Sequence, residues 1–316
     1  MRPTLFRLFD FGAPAYFLLL VSGFLFATAV GAMWARRVGK DPDVIVDLGL
    51  ASILAGVIGG RLLHVIADGF FWDYVNLCLD PSLVDWKVEK VFCGPGLRYH
   101  GVWDEAKGVC HPIERNCFAW AMFWQGGLAY YGGFIGASAA AYWLLKRDGF
   151  PFWKAADMAG FAVPLGLGFG RMGCLLAGCC FGVRTEGPLG MVFPSGSPAS
   201  EAQWKLNELA NLRMPSHPVH PTQIYESAVS FAVAAICLLY VHGRKRYDGQ
   251  VFVVFLVLYA LGRFALEFVR ADDRGGLLGL STSQLIGLGI IGVAVVIHKR
   301  RVKSGEPDGV VAPQVS

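Results

Sequence analysis

The sequence predicts an all-α, polytopic membrane protein with about seven transmembrane helices. Its 316 residues are 54% hydrophobic and only 16% charged, which is less charge than a soluble domain of this size carries. Apolar windows long enough to cross a bilayer recur seven times. They lie at about residues 14–34, 45–67, 118–145, 155–176, 222–242, 250–269 and 282–298.

Basic residues at the ends of these windows predict the orientation. With seven spans, the four clusters fall on one side of the membrane, and basic segments favour the cytoplasmic side. We therefore expect the N-terminus outside and the C-terminus in the cytoplasm, with the first span retained. The net charge of +4 comes from these clusters and does not indicate a nucleic-acid partner. They are Arg36, Arg37 and Lys40; Lys146, Arg147 and Lys154; Arg244, Lys245 and Arg246; and Lys299, Arg300, Arg301 and Lys303.

The predicted spans form a single transmembrane domain over residues 1–303. Two outside loops interrupt it, at 69–117 and 177–221, and the second contains an amphipathic stretch at 201–212 that favours a short surface helix. The polar tail, 304–316, contains Pro and Gly and is expected to be disordered.

The first outside loop contains four cysteines, Cys78, Cys93, Cys110 and Cys117. An even number of cysteines outside the cytoplasm predicts up to two disulfides, with three pairings open. Metal binding by this loop is less favoured, because the tight CxxC spacing of zinc sites is missing.

The chain is organised around the stretch GRMGCLLAGCCFG at 170–182, which closes a long apolar run. An arginine facing lipid is costly, so Arg171 is expected to face the bundle interior and to pair with an anionic group. The alternative is that Arg171 snorkels at a helix end and that the glycines serve packing. The same stretch contains Cys174, Cys179 and Cys180.

The stretch HPTQIYE at 220–226 opens the fifth span with a polar face. His220, Gln223 and Glu226 follow one another at spacings of three, which places them on one side of a helix. A glutamate inside an apolar helix needs a partner, and either Arg171 or Arg263 would serve.

The sixth span ends in YALGRFALEFVR, with Tyr259, Arg263, Glu267 and Arg270 at spacings of four, four and three. This spacing predicts one stripe on one helix face, with Arg263 and Glu267 paired at i and i+4. The stripe could be a self-neutralising ladder. A buried ladder gives little net stability, however, and so we favour a functional role.

Two further stretches carry candidate residues. In the second span, Arg61, His64 and Asp68 share one face, which predicts an internal polar network in which Arg61 either pairs with a carboxylate or binds substrate. Tyr16, near the outer end of the first span, is either an interfacial aromatic or a site residue.

Together with YYGGFIG at 130–136 and in this order, these stretches resemble the prolipoprotein diacylglyceryl transferase family, from about residue 14 to residue 300. The resemblance implies transfer of a diacylglyceryl group from phosphatidylglycerol to the thiol of a prolipoprotein lipobox cysteine. This is the first step of lipoprotein maturation, performed by a multi-pass protein of the bacterial inner membrane. The expected partners are phosphatidylglycerol and the prolipoprotein signal peptide, with no metal, cofactor or nucleic acid.

On this resemblance, Arg171 and Arg263 hold the phosphodiester and stabilise the departing charge. Glutamates orient these arginines, and tyrosines donate hydrogen bonds to substrate oxygens. The expected catalytic residues are Arg171, Arg263, Glu267, Tyr259, Tyr16 and His220. The expected substrate-binding residues are Arg61, Glu226, Gln223, Arg270, Gln284, Tyr131, Gly132 and Gly133.

The sequence departs from the family pattern where the thiol would be activated. The family histidine before the paired glycines is Tyr131 here, and a tyrosine is a poor base at neutral pH. Three positions after the arginine that are polar in the family pattern are Cys174, Ala177 and Cys179 in this chain. His220 is then the candidate base.

The departures leave two alternatives open. One is a non-catalytic or altered-substrate paralogue that binds lipid or lipoprotein. The other is a membrane thiol–disulfide enzyme using Cys174, Cys179 and Cys180, although these cysteines do not form a CxxC pair. A transporter is the generic alternative, but this sequence lacks the internal repeat that is common in transporters.

Overall fold

The computed structural model describes residues 4–8, 11–97, 99–123, 126–271, 275–277 and 279–304. It confirms an all-α, polytopic membrane protein. The helices are α1 (Ala15–Arg37), α2 (Pro42–Ala67), α3 (Phe71–Leu79), α4 (Tyr130–Arg147), α5 (Phe152–Ala177), α6 (Pro198–Lys205), α7 (Thr222–Ala235), α8 (Gln250–Glu267) and α9 (Thr282–Ser304). Antiparallel pairs are formed by β1 (Thr4–Leu8) with β2 (Phe11–Pro14), β3 (Gly101–Asp104) with β4 (Val109–Pro112), and β5 (Gly276–Leu277) with β6 (Leu280–Ser281).

Within the described residues, five helices are long and apolar enough to cross a membrane. The other two predicted spans correspond to α4 and α9, so that a helix is found at each predicted window. Seven crossings and the orientation remain predictions. The five are Ala15–Arg37, Pro42–Ala67, Phe152–Ala177, Thr222–Arg244 and Gln250–Glu267; the fourth continues α7 through a π-turn and a 3₁₀ turn.

The start of the predicted third span is wrong. The window was placed at 118–145, but the helix begins at Tyr130. Gly126 and Gly127 just before it have φ values of 100° and 70°, a left-handed conformation that a helix cannot contain. Residues 119–121 form only a short 3₁₀ turn.

The chain divides into two compact units, and the first comprises Met1–Val46 and Phe150–Ser316. Helix α5 is its centre and packs against α1, α7 and α8, while α9 packs against α8. At Gly160 in α5 an added Cβ would lie 3.0 Å from the backbone of Phe252, so glycine is what allows α5 and α8 to approach. The predicted single domain stays a prediction.

A buried aspartate ties α5 to the start of α8. Asp157 is fully buried, and its Oδ1 accepts the N–H of Val251 at 2.8 Å. Its Oδ2 pairs with Lys245 Nζ at 2.9 Å. The carboxylate therefore accepts an N–H of the first turn of α8 and neutralises a nearby lysine. The start of a helix is a favourable place for negative charge.

The second unit spans Asp47–Gly149. In it α2 packs against α4 through glycines: a Cβ at Gly59 or at Gly132 would collide with the backbone of the other. Disulfides join Cys78 to Cys117 and Cys93 to Cys110. The two predicted disulfides are thus confirmed, and their nested pairing is now assigned.

The surface helix predicted at 201–212 is displaced along the chain. It starts at Pro198, because the Ser197 side chain accepts the N–H of Ser200 as a cap and proline suits the first turn. It ends at Lys205, and Asn207 has a φ of 60°. The tail expected to be disordered was 304–316; Ser304 is the last residue of α9, and 305–316 lie outside the described residues.

Candidate active site

In the first unit, one end of the helix bundle contains a network of buried charges. Glu226, in the first turns of α7, forms ion pairs with two arginines. Its Oε1 lies 2.9 Å from Arg171 Nη2, and its Oε2 lies 3.3 Å from Arg270 Nη1. The Glu226 side chain is 3% exposed, that of Arg270 1% and that of Arg171 23%. Arg171 is therefore a confirmed partner of Glu226 and is also the member of the network that remains accessible.

A second ion pair lies at the end of α8. Arg263 Nη1 is 2.7 Å from Glu267 Oε2, which confirms the predicted i, i+4 pair. Arg263 also donates from Nη2 to Ser283 Oγ of α9 at 3.4 Å. Arg263 is thus paired with Glu267, and the suggestion that it partners Glu226 is not supported by these contacts.

The predicted stripe on one helix face is wrong for its last member. Helix α8 ends at Glu267, and Arg270 lies beyond it in a short bridge opposite Gly182. The Val183 N–H donates to the Val269 carbonyl at 3.0 Å. Arg270 reaches Glu226 because the chain leaves the helix. The spacing of three residues did not predict this.

The cysteines after Arg171 are brought together by the way α5 ends. Gly178 adopts the left-handed conformation that caps the helix, with φ of 75°. The Thr222 hydroxyl donates to the Cys180 carbonyl, and the Gln223 amide donates to the Cys179 carbonyl, both at 2.7 Å. Thus α7 fixes the turn in place.

As a result, the Sγ atoms of Cys174, Cys179 and Cys180 lie within 4.8 Å of one another, and all three are free thiols. Cys180 has a φ of 62°, a strained value for a non-glycine residue. Hydrogen bonds from the other two thiols hold the pKa of Cys180 well below its usual range, and the charges of Arg171 and Arg270 act in the same direction. Hydrogen bonding to the other two thiols raises the pKa of Cys179, so a single negative charge in this cluster falls on Cys180.

Two tyrosines flank this network. Tyr16 lies against Gly173, where an added Cβ would be 3.1 Å from its ring and 3.2 Å from its backbone. Tyr16 and Tyr259 are both close enough to Arg171 to interact with it electrostatically. The structure therefore brings Tyr16, Arg171, Glu226, Tyr259 and Arg270 together.

His220 and Gln284 have local partners. His220 Nδ1 is 3.3 Å from the Tyr225 hydroxyl, and its carbonyl accepts the Gly182 N–H at 2.8 Å. Gln284 Oε1 accepts the Ser281 N–H at 2.9 Å, and the Ser281 hydroxyl accepts the Gln284 N–H at 3.2 Å. Gln284 thereby completes a capping box at the start of α9. The role of His220 as base stays a prediction.

The remaining candidates belong to the second unit. Arg61 donates to the carbonyls of Ala119, Trp120, Gly126 and Gly127, at 2.5 to 3.0 Å. Arg61 thus binds the segment before α4 through backbone carbonyls, and its contacts among the described residues include no carboxylate. His64 and Asp68, predicted on the same face, do pair, at 3.0 Å.

Within this unit, Tyr131 is 64% exposed. Gly132 is buried against α2, and Gly133 also packs there, beside the backbone of Gly56. Both glycines therefore have a packing role, whatever they contribute to substrate binding.

Comparison with known proteins places these residues in a family. The family model "Prolipoprotein diacylglyceryl transferase" matches residues 3–103 and 109–299. The chain belongs to the prolipoprotein diacylglyceryl transferase family. The matched residues include every candidate site residue, and the resemblance stated from the sequence is confirmed.

Curated relatives agree with this. A phosphatidylglycerol–prolipoprotein diacylglyceryl transferase of Clostridium tetani is 29% identical over 297 residues, covering 94% of this chain and 96% of its own. A second, from Clostridium perfringens, is 28% identical over 315 residues, covering 97% and 100%. A third, from Stenotrophomonas maltophilia, is 33% identical over 208 residues, covering 60% and 68%.

Sequence reasoning missed two features of the site. The first is the bridging position of Glu226 between Arg171 and Arg270, since the predicted partners of Glu226 included Arg171 but not Arg270. The second is the three-thiol geometry. The glycine at 178 is the one available signal, because a glycine after an apolar helix predicts a reversal of the chain.

Proposed function

We propose that this protein transfers a diacylglyceryl group from phosphatidylglycerol to the thiol of a lipobox cysteine in a prolipoprotein signal peptide. This would be the first step of lipoprotein maturation, in the bacterial inner membrane. The observation that carries the proposal is the Arg171–Glu226–Arg270 network, together with the Arg263–Glu267 pair at the end of α8, in an apolar helix bundle. Family membership over nearly the whole chain supports the same activity.

The substrate is an anionic lipid, and the leaving group is a phosphate ester. Guanidinium groups suit both, because their fork geometry matches phosphate oxygens and they stay charged in a dry site. Arg171 keeps 23% and Arg263 13% of its side-chain surface accessible. Each is held by one carboxylate, and within the part of the chain that the structure describes each guanidinium keeps N–H donors for an incoming phosphate.

In the reaction, the thiolate of the acceptor attacks the glyceryl carbon next to the phosphate. A C–S bond forms, the C–O bond breaks, and glycerol phosphate leaves with the electron pair. Arg171 and Arg263 stabilise the charge that grows on the departing phosphate. Tyr16 and Tyr259 donate hydrogen bonds to oxygens of the lipid.

The test is a transfer assay with the full chain in nanodiscs that contain phosphatidylglycerol. A lipobox peptide is the acceptor, and the thioether product is read by mass. Arg263→Ala is expected to lower the rate by about 10²-fold or more, the effect of removing one donor to a developing oxyanion. Arg213→Ala is the matched control, since Arg213 is exposed, and it should retain the wild-type rate.

Two results would overturn the proposal. Phosphatidylglycerol binding that depends on Arg171 and Arg263, with no product from wild-type protein, would indicate the non-catalytic paralogue. Disulfide exchange with a dithiol peptide, with no thioether formed, would indicate the thiol–disulfide enzyme.

A further inference from the structure

The acceptor thiol needs a group that activates it, and the histidine that the family resemblance implies for this role is absent here. A thiol must become a thiolate before it can act as a nucleophile. The position where the family resemblance expects a histidine is Tyr131, and an ordinary tyrosine does not remove a proton at neutral pH. Another group has to generate the thiolate: His220 is one candidate, and the cysteines that follow Arg171 are a second.

The geometry of these cysteines suits a tetrahedral metal ion. Zn–S bonds of about 2.3 Å separate neighbouring sulfurs by about 3.8 Å in a tetrahedral site. The Sγ atoms of Cys174, Cys179 and Cys180 lie within 4.8 Å of one another, so closure needs shifts of about 1 Å or less. Rotation of the cysteine side chains would supply them.

Two of these cysteines lie in the loop after α5, and residues of α7 hold that loop in place. Thr222 and Gln223 bind the carbonyls of Cys180 and Cys179 from α7. The Gln223 side chain is fully buried, and among the described residues its amide oxygen has no hydrogen-bond partner. A free buried acceptor beside the thiols is costly unless a further donor is bound there.

Nearby charges complement a metal–thiolate centre. Three thiolates and Zn²⁺ carry a net charge of −1, and a fourth thiolate makes it −2. Arg171 precedes Cys174 by three residues on α5, and Arg270 forms a bridge with Gly182, two residues after Cys180. Two guanidinium groups therefore lie close to the cysteines and complement a negatively charged metal–thiolate centre.

We propose that Cys174, Cys179 and Cys180 bind a zinc ion whose fourth position takes the acceptor thiol of the prolipoprotein. This inference rests on the proposed function and departs from the expectation of no metal. Three protein ligands with one open position are the pattern of catalytic zinc sites, and a thiol bound to zinc is deprotonated. Zinc thus replaces the missing base.

The step balances without an oxidant. The acceptor S–H gives its proton to solvent on binding zinc. Its sulfur then attacks the glyceryl carbon of phosphatidylglycerol, the C–O bond breaks, and the phosphate leaves beside Arg171. The thioether product is a weaker zinc ligand than the thiolate, which allows it to leave.

The first experiment measures binding alone. Purified full-length protein in nanodiscs is loaded with Zn²⁺, or with Co²⁺ as a spectroscopic probe, and metal per chain is determined. We expect about one ion per chain and sulfur-to-cobalt charge-transfer absorption. Cys179→Ser/Cys180→Ser should reduce the bound metal at least tenfold. Cys237→Ser should not, because Cys237 is a buried free thiol beside the Val251 carbonyl, beyond the far end of α7.

The second experiment tests the open position. Adding a lipobox peptide to the Co²⁺ protein should shift the charge-transfer band, and the same peptide with serine in place of cysteine should not. Removing zinc with a chelator should lower the transfer rate at least tenfold, and zinc should restore it.

The outcomes separate this inference from the proposed function. Transfer that is unaffected by zinc removal would overturn the metal site and leave the transferase intact. A cobalt spectrum that responds to the peptide thiol, without any transfer, would support the metal site and contradict the transferase. No bound metal, or a disulfide between two of the three cysteines in the active protein, would overturn the inference.

Discussion

Replacing Glu226 with glutamine tests the charge network most directly. Glu226→Gln keeps the shape of the side chain and removes one negative charge from between two guanidinium groups. Oε1 and Oε2 lie 2.9 Å from Arg171 and 3.3 Å from Arg270. Because the Arg270 side chain is 1% exposed, its charge would lose the Glu226 carboxylate in a place that water hardly reaches.

The structure sets the size of the effect. At an effective dielectric constant of about 20, the two attractions amount to about 6 and about 5 kcal/mol. Most of this offsets the cost of taking the charges out of water, and removing one partner of a buried pair costs about 3–5 kcal/mol net. At on the order of 2 °C per kcal/mol for a chain of this length, the unfolding temperature should fall by about 6–10 °C.

The assay is thermal unfolding in detergent, followed by intrinsic tryptophan fluorescence. Glu186→Gln is the control, since Glu186 is exposed, and it should shift the midpoint by about 1 °C or less. Glu226→Gln/Arg270→Met should lose less stability than the sum of its single changes, because the buried positive charge that Glu226 neutralises is gone as well. A Glu226→Gln protein as stable as wild type, or strict additivity in the double variant, would refute the reasoning.

Three further changes test other parts of the fold. Asp157→Asn should cost about 2 kcal/mol by thermal unfolding, less than a fully broken buried pair because a second carboxylate stays beside Lys245; an unchanged midpoint would contradict this. Cys78→Ser/Cys117→Ser should remove about 4 kcal/mol from the second unit, for a cross-link spanning 39 residues, and speed proteolysis there. Peptide mapping without reductant checks that pairing. Gln284→Ala should lower the free energy of unfolding by about 1 kcal/mol, because its part of the capping box is lost. A fall in the transfer rate beyond what this loss of stability explains would support its role in substrate binding.

Local spacing was enough to predict the contacts made within one helix. Arg263 and Glu267 are four residues apart on α8, and the ion pair follows from helix geometry alone. The pairing of Glu226 with Arg171 followed from the high cost of an unpaired charge in an apolar span, which left few partners to choose from. The same cost keeps charged residues scarce in membrane spans, which is why hydropathy located a helix at every predicted window.

Contacts that depend on where a helix stops were not predictable in this way. Arg270 meets Glu226 because α8 ends three residues earlier. The third predicted span extended too far because hydropathy does not register the left-handed glycines at 126 and 127. The disulfide pairing needed the course of a long loop, which spacing alone leaves undetermined.

The pattern of substitution argues against a chain that has lost catalysis. Buried ion pairs add little to stability, and apolar residues of similar size often replace them at no cost or with a gain. A binding-only relative would therefore be free to lose Glu226 and Arg270, yet both are present and buried. The departures are instead concentrated at Tyr131 and after Arg171, where Cys174, Ala177 and Cys179 replace polar residues of the family pattern. The charges that we propose to bind phosphate are kept while the groups expected to handle the proton are exchanged, which favours a changed means of activating the thiol within the same reaction.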